Sequence, residues 1–434
     1  MTAPKSTASI PRQLHRPARH FGPAYMARSL IKGRLSPLSG GLLNVQDPWG
    51  EWNVGDGASE HIVLNVEDPA AYLAILLGGS LGAASAYMDG KWSSSDLTGL
   101  LRLFIRNMSV VDGVEIGFAR VANGIARLHH RLRANTHAGS RRNIHEHYDL
   151  GNDLFALFLD ETMTYSAGIF QSESSTLYEA SVAKLDRICR KLDLRPDDHI
   201  LEIGSGWGSF AMHAAKNYGC RVTTTTISPE QYELAGERIA RADLTDRIDI
   251  LLEDYRNLSG CYDKVVSIEM VEAVGHAFLP GYFKKCAELL KEDGAMLLQA
   301  ITMPDRRYDQ YLRSSDFIRR YIFPGSCVPS MGALVNAMGA ESDLKPVQIE
   351  DIGPHYATTL RLWRERFNAR LDEVRGLGYP ERFVRMWNFY LSYCEAGFEE
   401  RYLGDLQMLL HKSACRQQPL LPPLIRAHEE RAAA

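Results

Sequence analysis

HILEIGSGWGS, running from His199 to Ser209, reads as a buried strand, a glycine turn and a helix start. Ile200 to Ile203 forms a short apolar strand, and Gly204, Gly206 and Gly208 alternate directly after it. Glycine lets such a turn take positive φ, and the missing side chains let a ligand approach the backbone closely. Ser209 opens a helix whose first amides add favourable dipoles at the same place. The spacing is not the GxGxxG of a nicotinamide site. Glu202, two residues before the first glycine, puts a carboxylate near the strand's C-terminal end. That suits a cationic ligand such as S-adenosylmethionine and repels a pyrophosphate. A structural tight turn accounts for the glycines alone, so the context has to decide.

The context agrees. The next apolar strand, Val222–Ile227, runs into Thr226, Ile227, Ser228 and Gln231, which offers hydroxyls and an amide for ribose and amino-acid groups. The third, Ile248–Leu252, is followed by Asp254 and Tyr255, a carboxylate for an adenine amine and an aromatic edge. Further strands fall at Val265–Ile268 and Met296–Ile301, with helical patterns at Glu230–Ala242 and Phe278–Leu290. Alternation of this kind predicts an α/β fold, a mainly parallel sheet with helices on both faces. Ligands bind such sheets at the carboxyl ends of the strands, where these groups gather.

The rest of the chain sets the frame. With 434 residues, 45% hydrophobic and 24% charged, two or three globular domains are expected. A net charge of -4 argues against a nucleic-acid partner. Positive charge is concentrated, however. Residues 1–30 read as a flexible basic arm, and residues 111–142 as a basic helical linker carrying Arg120, Arg127, Arg131, Arg133, Arg141 and Arg142. Clusters of this kind suit an anionic membrane surface, although a solvated face looks the same in sequence. Between them, residues 31–110 form a small domain, and 143–434 the catalytic domain, with a cap after Thr302.

Seven scattered cysteines without a CxxC fit a reducing compartment, and the basic N-terminus lacks the apolar core of a secretory signal. Ala70–Tyr87 is uncharged over 18 residues, but Asp68-Pro69 and the Gly78-Gly79 break predict two short buried helices rather than a membrane span. His145 and His147, two apart, do not have the four-residue spacing of a helical metal motif, so no metal is expected.

Several segments resemble the cyclopropane-fatty-acyl-phospholipid synthase family. They are HYDLGNDLF (147–155), MTYS (163–166), LEIGSGWGSF (201–210), TISPEQ (226–231) and SIEMVEAVG (267–275). SSDFIRRYIFPG (314–325), HYATTLRLW (355–363) and YCEAGF (393–398) resemble the plant-type branch most. LLGGSLGAASAYMDGKW (76–92) is similar to the small N-terminal lipid-binding domain of bacterial members.

The resemblance implies a Rossmann-type class I methyltransferase domain and a reaction on the cis double bond of a phospholipid acyl chain. S-adenosylmethionine is the methyl donor, and deprotonation of the resulting cation closes a cyclopropane. It implies a bicarbonate ion as base, held by Glu272, Tyr356 and the backbone of Ile301. Tyr165 and Ser166 match a cofactor-contacting pair, and Tyr148 and Trp207 lie in matching segments beside it. Cys394 aligns with a family cysteine, although no base adjoins it in YCEAG and a structural role is the simpler account. A helix-terminal carboxylate and a core aromatic account for Glu272 and Tyr356 in the same plain way. Phe317, Tyr321, Phe323 and Trp363 are expected to line the acyl site.

Two positions depart from the pattern. Ala167 stands where cysteine is usual, and Gln299 where many bacterial members carry histidine. Gln299 can still donate through its amide. A methyl- or methylene-branched product is the alternative these departures raise. The expected partners are unsaturated phospholipid chains and a membrane surface, with homodimerisation left open. The expected location is the cytoplasm, peripherally on the inner face of the membrane.

Overall fold

The computed structural model describes residues 22–57, 60–114 and 150–420, and two sheets organise them. The N-terminal sheet holds β1 (Leu42–Asp47), β2 (Gly50–Gly55), β3 (His61–Val66) and β4 (Trp92–Ser94), in the order β2-β1-β3-β4. β1 pairs with β2 antiparallel and with β3 parallel, and the alternating residues Leu43, Val45, Trp52 and Val54 are buried.

The helix Pro23–Leu35 belongs to this domain. Ala27, Ile31 and Leu35, four apart, form its buried stripe. Residues 23–30 are therefore helical and packed, not part of a flexible arm. Arg28 is not a solvated charge either. It pairs with Asp47, which also accepts from Tyr72 Oη at 2.6 Å and Trp52 Nε1 at 3.1 Å. The basic linker beyond Val114 and the His145–Tyr148 segment lie outside the described residues.

Ala70–Met88 is a kinked helix whose break is at Gly79, with φ 57° and ψ −137°. The expectation of two short helices fits that break, but not the expectation of burial. Only 33% of its apolar window is buried, and Leu77 is half exposed. Among the described residues it is the one helix with the length and composition to cross a membrane.

The catalytic sheet has β5 (His199–Ile203), β6 (Arg221–Thr226), β7 (Ile248–Leu252), β8 (Tyr262–Ile268), β9 (Leu290–Thr302), β10 (Lys345–Asp351) and β11 (Gly404–His411). Their order is β10-β11-β9-β8-β5-β6-β7. Five neighbours from β9 to β7 run parallel, and β11 is antiparallel to both β9 and β10. Half-exposed β10 has no clean apolar run to mark it in the sequence, and buried β11 interrupts its own with Asp405 and Gln407. Strand order reverses between β5 and β8, so a crevice opens beyond their carboxyl ends.

Two long helices, Gly353–Ala369 and Glu381–Glu399, close the far wall. The second carries the N-terminal domain. Arg385 lies 4.2 Å from the centroid of Tyr87 and donates to the Trp92 carbonyl at 2.7 Å, while Arg102 pairs with Glu400 at 2.7 Å. Residues 303–330 form the cap, which includes a π-helical turn at Ile318–Ile322. Arg319 anchors it by stacking on Tyr311 at 3.8 Å and donating to the carbonyls of Tyr311, Ser314 and Ser326.

Candidate active site

At the crevice lies a cavity of about 670 Å³, lined by both domains and the cap. Its polar end is the glycine turn. Gly204, Gly206 and Gly208 take φ of 97°, 49° and 83°, all in the left-handed half of the map. A Cβ on Gly204 would stand 3.1 Å from Met270 Cγ, whereas one on Gly206 would meet nothing within 4 Å. The turn thus leaves an open cradle beside its backbone.

Around the cradle, Tyr165, Ser166, Glu202, Thr226, Ile227, Gln231, Asp254 and Tyr255 all line the cavity. Several are already occupied. Thr226 donates to Gln231 Oε1 at 2.9 Å, and Asp254 holds Arg256 through both carboxylate oxygens. Ser228 does not line the cavity. It accepts from the Gln231 amide and caps the helix Pro229–Arg241. Trp207 reaches the lining but is held by Asn152 Oδ1 at 2.7 Å and packs on Phe155, which makes its indole largely structural. Tyr148 lies outside the described residues.

Glu202 is buried and accepts from Thr224 Oγ1 at 2.6 Å. Burial pushes its carboxyl up to about 8, against the pull of that hydrogen bond and of Lys184. It is therefore largely a neutral acid at neutral pH, and a cationic ligand beside it would favour ionisation. A strand-end position shows the carboxyl but not its desolvation, which depends on what packs over it.

The second centre sits one strand further on. Glu272 is buried with Oε1 accepting the Ile301 amide at 2.6 Å, and Oε2 has no partner among the described residues. Burial, then the charge of Glu269, raises it to about 8. Tyr356 lines the cavity, and its phenol is held far above the usual range by burial and by Glu269. Gln299 is fully buried and does not line the cavity, so it acts through its neighbours.

Those neighbours converge on a residue the sequence reading passed over. Glu269 lines the cavity at the end of β8 with a left-handed φ of 48°. Its Oε1 accepts from Ser166 Oγ (2.6 Å), the Ala167 amide (3.0 Å) and Gln299 Nε2 (2.8 Å), and its Oε2 accepts from Tyr356 Oη (2.7 Å). Beneath it, Gln299 also donates to Asp405, receives Gln407 Nε2 on its own Oε1, and lies near buried Lys184 through Ser166. Nothing in the spacing of SIEMVEAVG separates Glu269 from Glu272 as the cavity's polar centre.

The apolar end completes the picture. Phe317, Phe323, Phe389 and Cys394 line it, and the lining continues into the N-terminal domain at Trp52, Ile75, Gly79 and Phe104. Trp363 and Tyr321 do not reach it. Trp363 is fully buried between Tyr165, Tyr356 and Phe158. Burial, with the charge of Asp316, raises the Cys394 thiol far above its ordinary value, so it is no nucleophile at neutral pH. The structure places Cys394 in the apolar lining.

A seven-stranded sheet of this order, with an open glycine cradle after its first strand, defines a class I S-adenosylmethionine-dependent methyltransferase. Comparison with known proteins narrows the class. Residues 135–408 match the mycolic acid cyclopropane synthetase family, and the chain belongs to it. It is 40% identical over 343 residues to tuberculostearic acid methyltransferase of Mycobacterium tuberculosis, covering 76% of this chain and 79% of that one. It is 37% identical to cyclopropane-fatty-acyl-phospholipid synthase of Escherichia coli, over 80% and 86% of the two chains. A crystal structure of a mycolic acid cyclopropane synthase complexed with SAH and CTAB superposes with a TM-score of 0.59 at 31% identity. That match covers 63% of this chain and 98% of the other.

Proposed function

We propose that this enzyme methylates the cis double bond of an unsaturated phospholipid acyl chain and closes a cyclopropane ring on it. The observation that carries the reading is the single cavity that joins the glycine cradle to a long apolar lining. S-adenosylmethionine supplies an electrophilic methyl group when bound. The cradle residues fit it: an open turn at Gly206, an acid at Glu202 that a cation would ionise, and polar groups at Gln231 and Asp254. Methylation of an alkene leaves a carbocation on the chain. Phe317, Phe323 and Tyr390 line the cavity and supply π-rich walls suited to such a cation.

A bicarbonate ion does not fit beside these groups. The Ile301 amide is engaged by Glu272, and the Tyr356 hydroxyl by Glu269. No step is therefore assigned to bicarbonate.

The enzyme would act from the cytoplasmic face of an anionic membrane. The basic clusters, the half-exposed helix Ala70–Met88 and the lining at Gly79 support a route from bilayer to cavity. A second reading, methyl or methylene branching, is favoured by the tuberculostearic acid methyltransferase relative and by Ala167 and Gln299. Incubation with dioleoyl-phosphatidylglycerol vesicles and methyl-labelled S-adenosylmethionine separates the two. Cyclopropane methylene protons in the product spectrum support the first, exocyclic methylene or methyl signals the second, and unlabelled lipid sinks both.

A further inference from the structure

Resting on that reading, we propose that Glu269 is the base of the reaction, a carboxylate built into the chain where an exogenous anion would otherwise sit. The geometry is specific. Four donors from three distant parts of the sequence converge on one side chain that faces the cavity. Its backbone is held in a conformation that non-glycine residues seldom adopt, and such strain collects at functional sites.

The two unusual residues of the site now have a common account. At Ala167 the backbone amide donates to Glu269, and the side chain is a buried methyl with no polar group of its own. At Gln299 the amide orientation is fixed, because Oε1 accepts from Gln407, so Nε2 must face Glu269 and Asp405. A carboxylate needs such donors when it is taken from water. Glu272 is the poorer candidate, since burial leaves it largely protonated at neutral pH and none of those four donors serves it.

The chemistry balances without another reactant. The sulfur–methyl bond of S-adenosylmethionine breaks as the methyl carbon bonds one alkene carbon, and the other alkene carbon becomes cationic. A C–H bond of the new methyl then breaks. Its electron pair closes the ring onto the cation, and the proton goes to a Glu269 oxygen. The proton lost sits on the methyl attached to the neighbour of the cationic carbon, so the base has to be held over that methyl, and a carboxylate fixed by four donors can be so positioned and can offset the charge of the cation.

The test compares the full-length wild type and Glu269→Gln on dioleoyl-phosphatidylglycerol vesicles, in buffer stripped of carbon dioxide and in buffer with added sodium bicarbonate. Wild-type turnover is expected to be the same in both buffers. Glu269→Gln is expected to lose at least about 100-fold in turnover while S-adenosylmethionine affinity stays within about threefold. Wild-type turnover that collapses without bicarbonate overturns the proposal, and that arm does not depend on the variant folding. So does a variant that keeps more than about a tenth of wild-type turnover. Wild type that labels no lipid in either buffer refutes the proposed function itself, a result distinct from both.

Discussion

The backbone amide of Ile301 donates to Oε1 of Glu272 at 2.6 Å, tying the end of β9 to the turn after β8. The other oxygen of Glu272 is buried without a partner among the described residues, and burial raises the group to about 8. The folded state therefore holds a proton that the unfolded chain releases near 4.5. Stability from this group is full below the unfolded value and is lost as pH rises towards about 8. Glu202, raised to about 8 by burial, acts in the same sense. The urea midpoint of the wild type should fall as pH is raised from about 5 to about 8, and Glu272→Gln should flatten that fall. Equal slopes for the two proteins would contradict the account.

Gly204 is the tightest position of the cradle. Substitution by alanine combines a φ of 97° with a Cβ 3.1 Å from Met270 Cγ. Gly204→Ala should weaken S-adenosylmethionine binding by at least about tenfold and cost about 1–2 kcal/mol of stability. Calorimetric titration and thermal melting read the two effects. Wild-type affinity in the variant would mean that the turn does not hold the cofactor.

Cys394 provides a negative control for nucleophilic chemistry. Its thiol is buried and strongly disfavoured as a thiolate. Cys394→Ala should retain most activity, and alkylation of the folded enzyme by iodoacetamide at neutral pH should spare this residue. Peptide mass mapping shows the second. Loss of turnover by about 100-fold in the alanine variant would restore a chemical role.

Arg385 clasps the two domains through the Tyr87 ring and the carbonyls of Tyr87 and Trp92. Arg385→Ala should cost about 2–3 kcal/mol and open the N-terminal domain to limited proteolysis before the catalytic domain. Arg385→Lys should recover only part, since an ammonium lacks the planar fork. Unchanged cleavage between residues 60 and 107 would argue against the clasp.

How much of this was legible beforehand differs from element to element. The parallel core of the sheet and the glycine turn can be read from the chain alone. Apolar runs, their spacing and the φ freedom of Gly204, Gly206 and Gly208 are local properties, readable without knowing what packs against them. Ser228 shows the limit of such reading, since a hydroxyl at a strand end serves equally as a helix cap.

Which groups stay charged and which face the cavity depends on packing between distant segments. Desolvation turned Glu202 and Glu272 into weak acids and silenced Cys394. Glu269 became the centre because Ser166, Gln299 and Tyr356, lying 103, 30 and 87 residues away, meet on it. HILEIGSGWGS marks where a cofactor binds, through backbone that is its own. The base depends on donors brought by three separate segments, and their convergence is a property of the packed fold.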